Sequence, residues 1–243
     1  MSDPIVVKHS DQSVIDERHT SASEVLGQFP RLPRAWPLIF LDDVDDPFFR
    51  MKRGETNRGF FVPSLSGDKL MGIEMPLTRW PDYIIKHVYS QKMKEFLCDQ
   101  VVYICGSACA EPVGRVMTLA HELQHFVQYD LRRDIYEQNF GFCGKLPNFE
   151  IPIEREARIV SKRIAMRICG SAMVEQYIAQ RIDDAERHVK SGCGPNQCSL
   201  SPKEIKDWKD EVDDWRFVKH LDISIPYDLE AETIQLHHNL AAC

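Results

Sequence analysis

No apolar run in this 243-residue chain approaches the roughly 20 residues a membrane-crossing helix needs, so no membrane association is expected. The opening stretch Met1-Ser2-Asp3-Pro4-Ile5 lacks a basic region followed by an apolar one. A cleaved leader is therefore not expected, and the chain reads as cytoplasmic; export without such a leader would leave no mark of this kind. A basic excess is also missing, since 30 Lys and Arg stand against 37 Asp and Glu, for a formal charge of -7. A nucleic-acid binder needs a basic patch to neutralise phosphates. Short runs such as Arg132-Arg133 read as solvated faces, so no nucleic-acid partner is expected. The eight cysteines, at 98, 105, 109, 143, 169, 193, 198 and 243, are too sparse for a dense disulfide framework. Several lie in apolar stretches, as Cys105 does after Val101-Val102-Tyr103-Ile104, and read as buried free thiols. There is no internal repeat and no low-complexity tract.

What is there is a globular composition: 43% hydrophobic and 28% charged residues, enough to build a core. Residues 1–35 are polar, weakly periodic and broken by Pro30 and Pro33, and read as a loosely ordered N-terminal arm. Residues 36–243 read as a single domain. Within it, Pro37-Leu38-Ile39-Phe40-Leu41, Gly59-Phe60-Phe61-Val62-Pro63 and Leu70-Met71-Gly72-Ile73-Glu74-Met75 read as strands. Tyr83, Ile84, Val88, Met93, Phe96 and Leu97 recur at near-helical spacing and predict a helix over about 82–98. A strand at 101–105 follows, broken by Gly106-Ser107-Ala108, and then helices at about 113–131, 153–168, 171–190 and 203–219, the last opened by Pro202. The expected fold class is α+β: a small N-terminal mixed sheet, then a helix bearing the motif described next, then a mainly helical C-terminal part.

That motif is His121-Glu122-Leu123-Gln124-His125, an HExxH sequence. With nine histidines in the chain, chance produces such a motif in roughly 2–3% of comparable sequences. Its setting makes chance less favourable still. On a helix, Val116, Ala120, Leu123, Val127 and Leu131 form one apolar stripe, while Thr118, His121, His125 and Gln128 fall on the opposite side. Histidines at i and i+4 stand one turn apart, so both can reach one cation, and neutral imidazole is a good zinc ligand. Glu122 points about 100° away from His121. It lies beside a metal rather than on it, where it can take a proton from a metal-activated water.

A catalytic zinc needs a third protein ligand and an open position. A third histidine from the same stretch is absent. The metzincin pattern places glycine and then histidine at positions held here by Gln128 and Leu131. Carboxylates remain, and Ile153-Glu154-Arg155-Glu156-Ala157 opens the next predicted helix. Glu154 and Glu156 flank that helix's apolar stripe almost symmetrically, so periodicity does not choose between them.

The HExxH helix followed by this segment resembles the glutamate-ligand zincins (gluzincins), and especially the compact ImmA/IrrE-type peptidases. The resemblance covers about 113–131 and 150–165. In that family the glutamate opens a helix as E-x-x-A or E-x-E-A, which favours Glu154 over Glu156, with Asp130, Asp134 or Glu150 behind them. The family's Asn or Asp after the alanine is replaced here by Arg158. The resemblance implies one catalytic Zn2+ held by His121, His125 and Glu154, with Glu122 as general base and a protein or peptide as substrate. A strand just before the metal helix, 101–105, is the expected partner for an extended substrate. Tyr129, Tyr136, Tyr227 and His220 are candidate oxyanion donors. The competing reading is a regulatory or interaction protein that keeps the zinc helix without catalysis; an intact Glu122 argues against it. Elsewhere, Cys193 and Cys198 with His188 suggest an ordinary turn, a disulfide loop or part of a second metal site, and His237-His238 suggest a solvated tail.

Overall fold

The computed structural model describes residues 4–30, 36–42, 59–62, 100–142, 145–194 and 199–241. The elements in order are β1 (Ile5–Lys8), α1 (Gln12–Leu26), β2 (Leu38–Asp42), β3 (Gly59–Val62), β4 (Val101–Cys105), α2 (Gly106–Ala110), α3 (Pro112–Leu131), α4 (Arg133–Phe140), a 3-10 turn (Asn148–Glu150), α5 (Pro152–Cys169), α6 (Ser171–Ser191), α7 (Pro202–His220) and α8 (Leu229–Ala241). The class is α+β, as expected. The expected strand at 70–75 and the helix at about 82–98 lie outside the described residues. No described helix is long and apolar enough to cross a membrane.

The sheet has the order β1-β2-β4-β3. β1, β2 and β4 are parallel, with Ile5 opposite Ile39 and Ile39 opposite Val102. β3 runs antiparallel to β4, with Phe61 opposite Val102. Leu38, Ile39, Phe40 and Leu41 are all buried, the continuous apolar run expected of a parallel strand covered on both faces. One face meets α1 and α3: Ile39, Leu41, Val102 and Ile104 share a core with Ala22, Val25, Val116, Leu119, Ala120 and Leu123. Chain reversal between β4 and the helices is abrupt. Gly106 begins α2 directly after the strand at φ 55, a left-handed conformation that glycine adopts without a Cβ penalty.

The N-terminal arm is a correction. Residues 5–8 form a strand at the edge of the sheet among the described residues, and residues 12–26 form a helix capped by Asp11, whose side chain accepts from the Ser13 backbone N–H. The reason hydropathy misses this helix lies in what it buries: Arg18, Ala22 and Val25, of which one is charged and one is small. Its outer side reaches α3 through an ion pair between Glu17 and the buried Arg115, which also donates to the Cys109 carbonyl at 2.6 Å. Helices α4 and α8 were likewise not read from periodicity. His237 and His238 belong to α8 rather than to a tail, and α8 is tied in by Asn139 Nδ2 donating to Thr233 Oγ1 at 2.8 Å and by the Arg155–Glu232 pair at 3.2 Å.

The α3 helix also departs from the two-faced pattern. Phe126 and Tyr129 are buried in addition to the apolar stripe, while Leu131 is exposed. The helix is enclosed on two sides, by the sheet with α1 and by α5, whose Ala157 and Ala165 are fully buried.

Candidate metal centre

Pro112 stands in the first turn of α3 and Pro152 in the first turn of α5, positions where a missing N–H costs no helix bond. These two helices pack along each other and bring three side chains to one point. His121 Nε2 lies 3.0 Å from His125 Nε2, His121 Nε2 lies 3.3 Å from Glu154 Oε2, and His125 Nε2 lies 3.4 Å from Glu154 Oε1. Together these three residues form a group that can hold a metal ion. The centre opens onto a cleft of about 260 Å³ lined by Gly59, Phe61, Tyr136, Phe140, Asn148 and Ile153 as well as Glu122 and the side chains of His121, His125 and Glu154.

Glu156, the other glutamate of the E-x-E pair, does not join the group. It is buried and accepts from Gln124 Nε2 at 3.0 Å, Gln128 Nε2 at 2.9 Å and Arg132 Nη1 at 3.2 Å. Asp130, Asp134 and Glu150 are not in the group either. Glu122 lies in the cleft wall, 8% exposed, and its carboxylate accepts a bond from the Phe61 backbone N–H on β3. That approach of β3 to α3 depends on Gly59, where an added Cβ would stand 2.7 Å from both Ile104 Cδ1 and Thr118 Cγ2.

The electrostatics follow from burial and crowding. Burial pushes the Glu122 carboxyl up to about 7, with nearby Glu154 adding to the rise and His125 opposing it. Burial pushes His121 down to about 4 against the pull of Glu154. At His125 burial acts in the same downward sense, but Glu154 and Glu122 outweigh it and raise the imidazole to about 9. Burial works against the charged Glu154 carboxylate too, yet the two histidines hold it well below the ordinary value. In the metal-free protein, one proton therefore sits on the His125 side of a His–Glu pair, and a cation would take its place.

Of the oxyanion candidates, Tyr136 lines the cleft, with its ring centroid 6.2 Å from that of His125. Tyr129 packs behind it against Phe61, while Tyr227 and His220 do not line the cleft. The expected substrate strand is corrected. β4 is interior, paired with β2 on one side and β3 on the other, so its backbone groups are already used. β3 is the strand beside the cleft, and it forms the edge of the sheet among the described residues. His188 Nδ1 lies 2.8 Å from the Cys193 carbonyl oxygen, and Cys198 lies outside the described residues.

Gln124, Gln128 and Phe61 were not read as site residues from the sequence. Gln128 shares the histidine face of α3, which is a signal. The role of Phe61 is a backbone one and leaves no signal in side-chain type. No family model, curated protein or solved structure matches this chain.

Proposed function

We propose that the protein is a zinc-dependent endopeptidase of the gluzincin kind, similar to the compact ImmA/IrrE-type peptidases, acting on a protein or peptide substrate. The observation that carries this reading is the convergence of three side chains at one point. Tetrahedral zinc with bonds of roughly 2.0–2.1 Å places its ligand atoms about 3.3 Å apart. The two imidazole Nε2 atoms lie 3.0 Å apart, and each has a Glu154 oxygen beside it, Oε2 at 3.3 Å from His121 and Oε1 at 3.4 Å from His125. Two neutral imidazoles and one carboxylate suit zinc, and three protein ligands leave a fourth position for water.

When bound, zinc supplies Lewis acidity, polarising the scissile carbonyl and making the attacking water more acidic. Glu122 takes the proton of that water and delivers it to the departing amine nitrogen. Its raised pKa suits both halves of the transfer, and the Phe61 N–H keeps the carboxylate turned toward the cleft. The aromatic wall of Phe61, Tyr136 and Phe140 supplies an apolar surface for a substrate side chain. Tyr136 is the favoured oxyanion donor because, of the four candidates, it alone lines the cleft. An extended substrate would lie along β3, whose outer edge has no strand partner among the described residues.

The test is hydrolysis of a mixed peptide library by the wild type and by Glu122→Gln, with bound zinc measured in both. The expected result is equal zinc and a loss of hydrolysis of several orders of magnitude in the variant. Equal hydrolysis in both, or none by the zinc-loaded wild type, removes the peptidase reading and leaves a zinc-binding regulatory protein.

A further inference from the structure

Gln128 and Glu156 are buried, at 1% and 6% exposure, and neither belongs to the ligand group. A buried carboxylate and a buried amide persist only where their polar atoms are paired. The way these are paired has a consequence for the metal-binding histidine. Gln128 Nε2 donates to the Ile153 carbonyl at 2.9 Å and to Glu156 Oε2 at 2.9 Å. Both partners are acceptors only. Turning the amide over would aim its oxygen at two other oxygens and lose both bonds, so the acceptors decide which way Gln128 points. Its Oε1 then falls 2.8 Å from His125 Nδ1. An acceptor at that position requires a proton on Nδ1, and a neutral imidazole protonated there carries its lone pair on Nε2. Nε2 is the atom facing His121 and Glu154, at 3.0 and 3.4 Å.

Glu156 is itself held from two sides, by Gln124 Nε2 at 3.0 Å and Arg132 Nη1 at 3.2 Å, so the chain of bonds is anchored at its far end. We propose that Glu156, acting through Gln128, is a positioning residue that fixes the tautomer and ring orientation of His125 for metal binding. The E-x-E pair of α5 thus divides its labour: Glu154 faces the metal, and Glu156 selects the form of a histidine on the neighbouring helix. This inference rests on the metal centre proposed above. Outer partners of this kind contribute about 10- to 100-fold in metal affinity.

The test uses zinc affinity measured by chelator competition on the full chain, with metal-free melting curves as the control for folding. Gln128→Met keeps the bulk and removes the acceptor, and is expected to weaken zinc by about 10- to 100-fold. Glu156→Gln is expected to weaken it in the same sense but by less, because one of the two acceptors that direct the Gln128 amide is lost while the Ile153 carbonyl remains. In the wild type loaded with zinc, imidazole nitrogen-15 shifts should show His125 protonated at Nδ1 and bound through Nε2, a readout independent of any variant. The proposal is overturned if both single variants bind zinc as tightly as the wild type, or if His125 binds through Nδ1. His121→Ala separates the two levels. Loss of zinc there with unchanged affinity in Gln128→Met overturns the positioning role alone, whereas zinc retained in His121→Ala overturns the centre and the positioning role together.

Discussion

Gly59→Ala tests how the cleft is built. The new Cβ would stand 2.7 Å from Ile104 Cδ1, 2.7 Å from Thr118 Cγ2 and 3.1 Å from the Tyr103 carbonyl oxygen. None of these yields freely. Ile104 is fully buried in the sheet–helix core, Thr118 is β-branched on a helix and held at χ1, and the carbonyl belongs to the strand to which β3 is bonded. Overpacking of this kind costs about 1–3 kcal/mol. For a chain of this size, that corresponds to a fall in melting temperature of about 2–12 °C. The functional consequence is specific. β3 must move away from α3, and the Phe61 N–H moves with it, off the Glu122 carboxylate. The ligands come from α3 and α5, so zinc affinity should hold while peptide hydrolysis falls. Calorimetric melting, chelator competition and peptide hydrolysis measure the three quantities on one preparation. Trimming the two contacts with Thr118→Ser and Ile104→Val should reduce the cost of Gly59→Ala relative to its cost in the wild type. A Gly59→Ala protein that melts with the wild type, or one that costs the same in the trimmed background, would refute the steric argument.

Further expectations concern the metal. His121→Ala and His125→Ala should each lose most of the bound zinc, as read by metal analysis after gel filtration. Glu154→Gln should weaken zinc more than Glu156→Gln does, because it removes the one anionic ligand rather than a partner of a partner; the reverse order in chelator titrations would reassign the ligand. Zinc uptake at pH 7 should release a proton, since His125 is raised to about 9 in the metal-free protein and must lose its proton to bind. Apparent affinity should therefore climb between pH 7 and about 9 and level off above that; calorimetry in buffers of different ionisation enthalpy measures the proton count. In the metal-free protein, the stability contributed by the raised His125 is complete below its ordinary value of 6.5 and is lost as pH rises through about 9. Free zinc held at a thousandfold excess over its Kd should add about 4 kcal/mol of stability, which a chelator removes; an unchanged melting temperature would count against a site formed only in the folded chain.

The histidine pair and Glu122 were legible because a helix converts sequence spacing directly into position. His121 and His125 are one turn apart wherever the helix packs, and Glu122 is next to them by the same rule. The α5, α6 and α7 helices were legible from apolar periodicity, and their observed bounds lie close to the expected ones. Helix α1 was not, because its inward face carries Arg18 and Ala22, which no hydropathy pattern marks as core. The surroundings of β4 were misread for a related reason. A strand's composition announces that it is buried but not which neighbours occupy its two edges.

The sequence by itself determined that two imidazoles and a carboxylate would share one helix, since those relations are local and set by 3.6 residues per turn. Only the tertiary structure decided between Glu154 and Glu156. Two residues apart on one helix, they point about 200° apart around its axis. Which one reaches the histidines depends on how α5 is rotated against α3. That rotation is set by packing along the whole length of the two helices, including Ile153, Ala157, Ile164 and Ala165. Periodicity left the two glutamates nearly symmetric about the buried stripe. The packed helices broke that symmetry, turning Glu154 to the imidazoles and Glu156 to Gln124, Gln128 and Arg132.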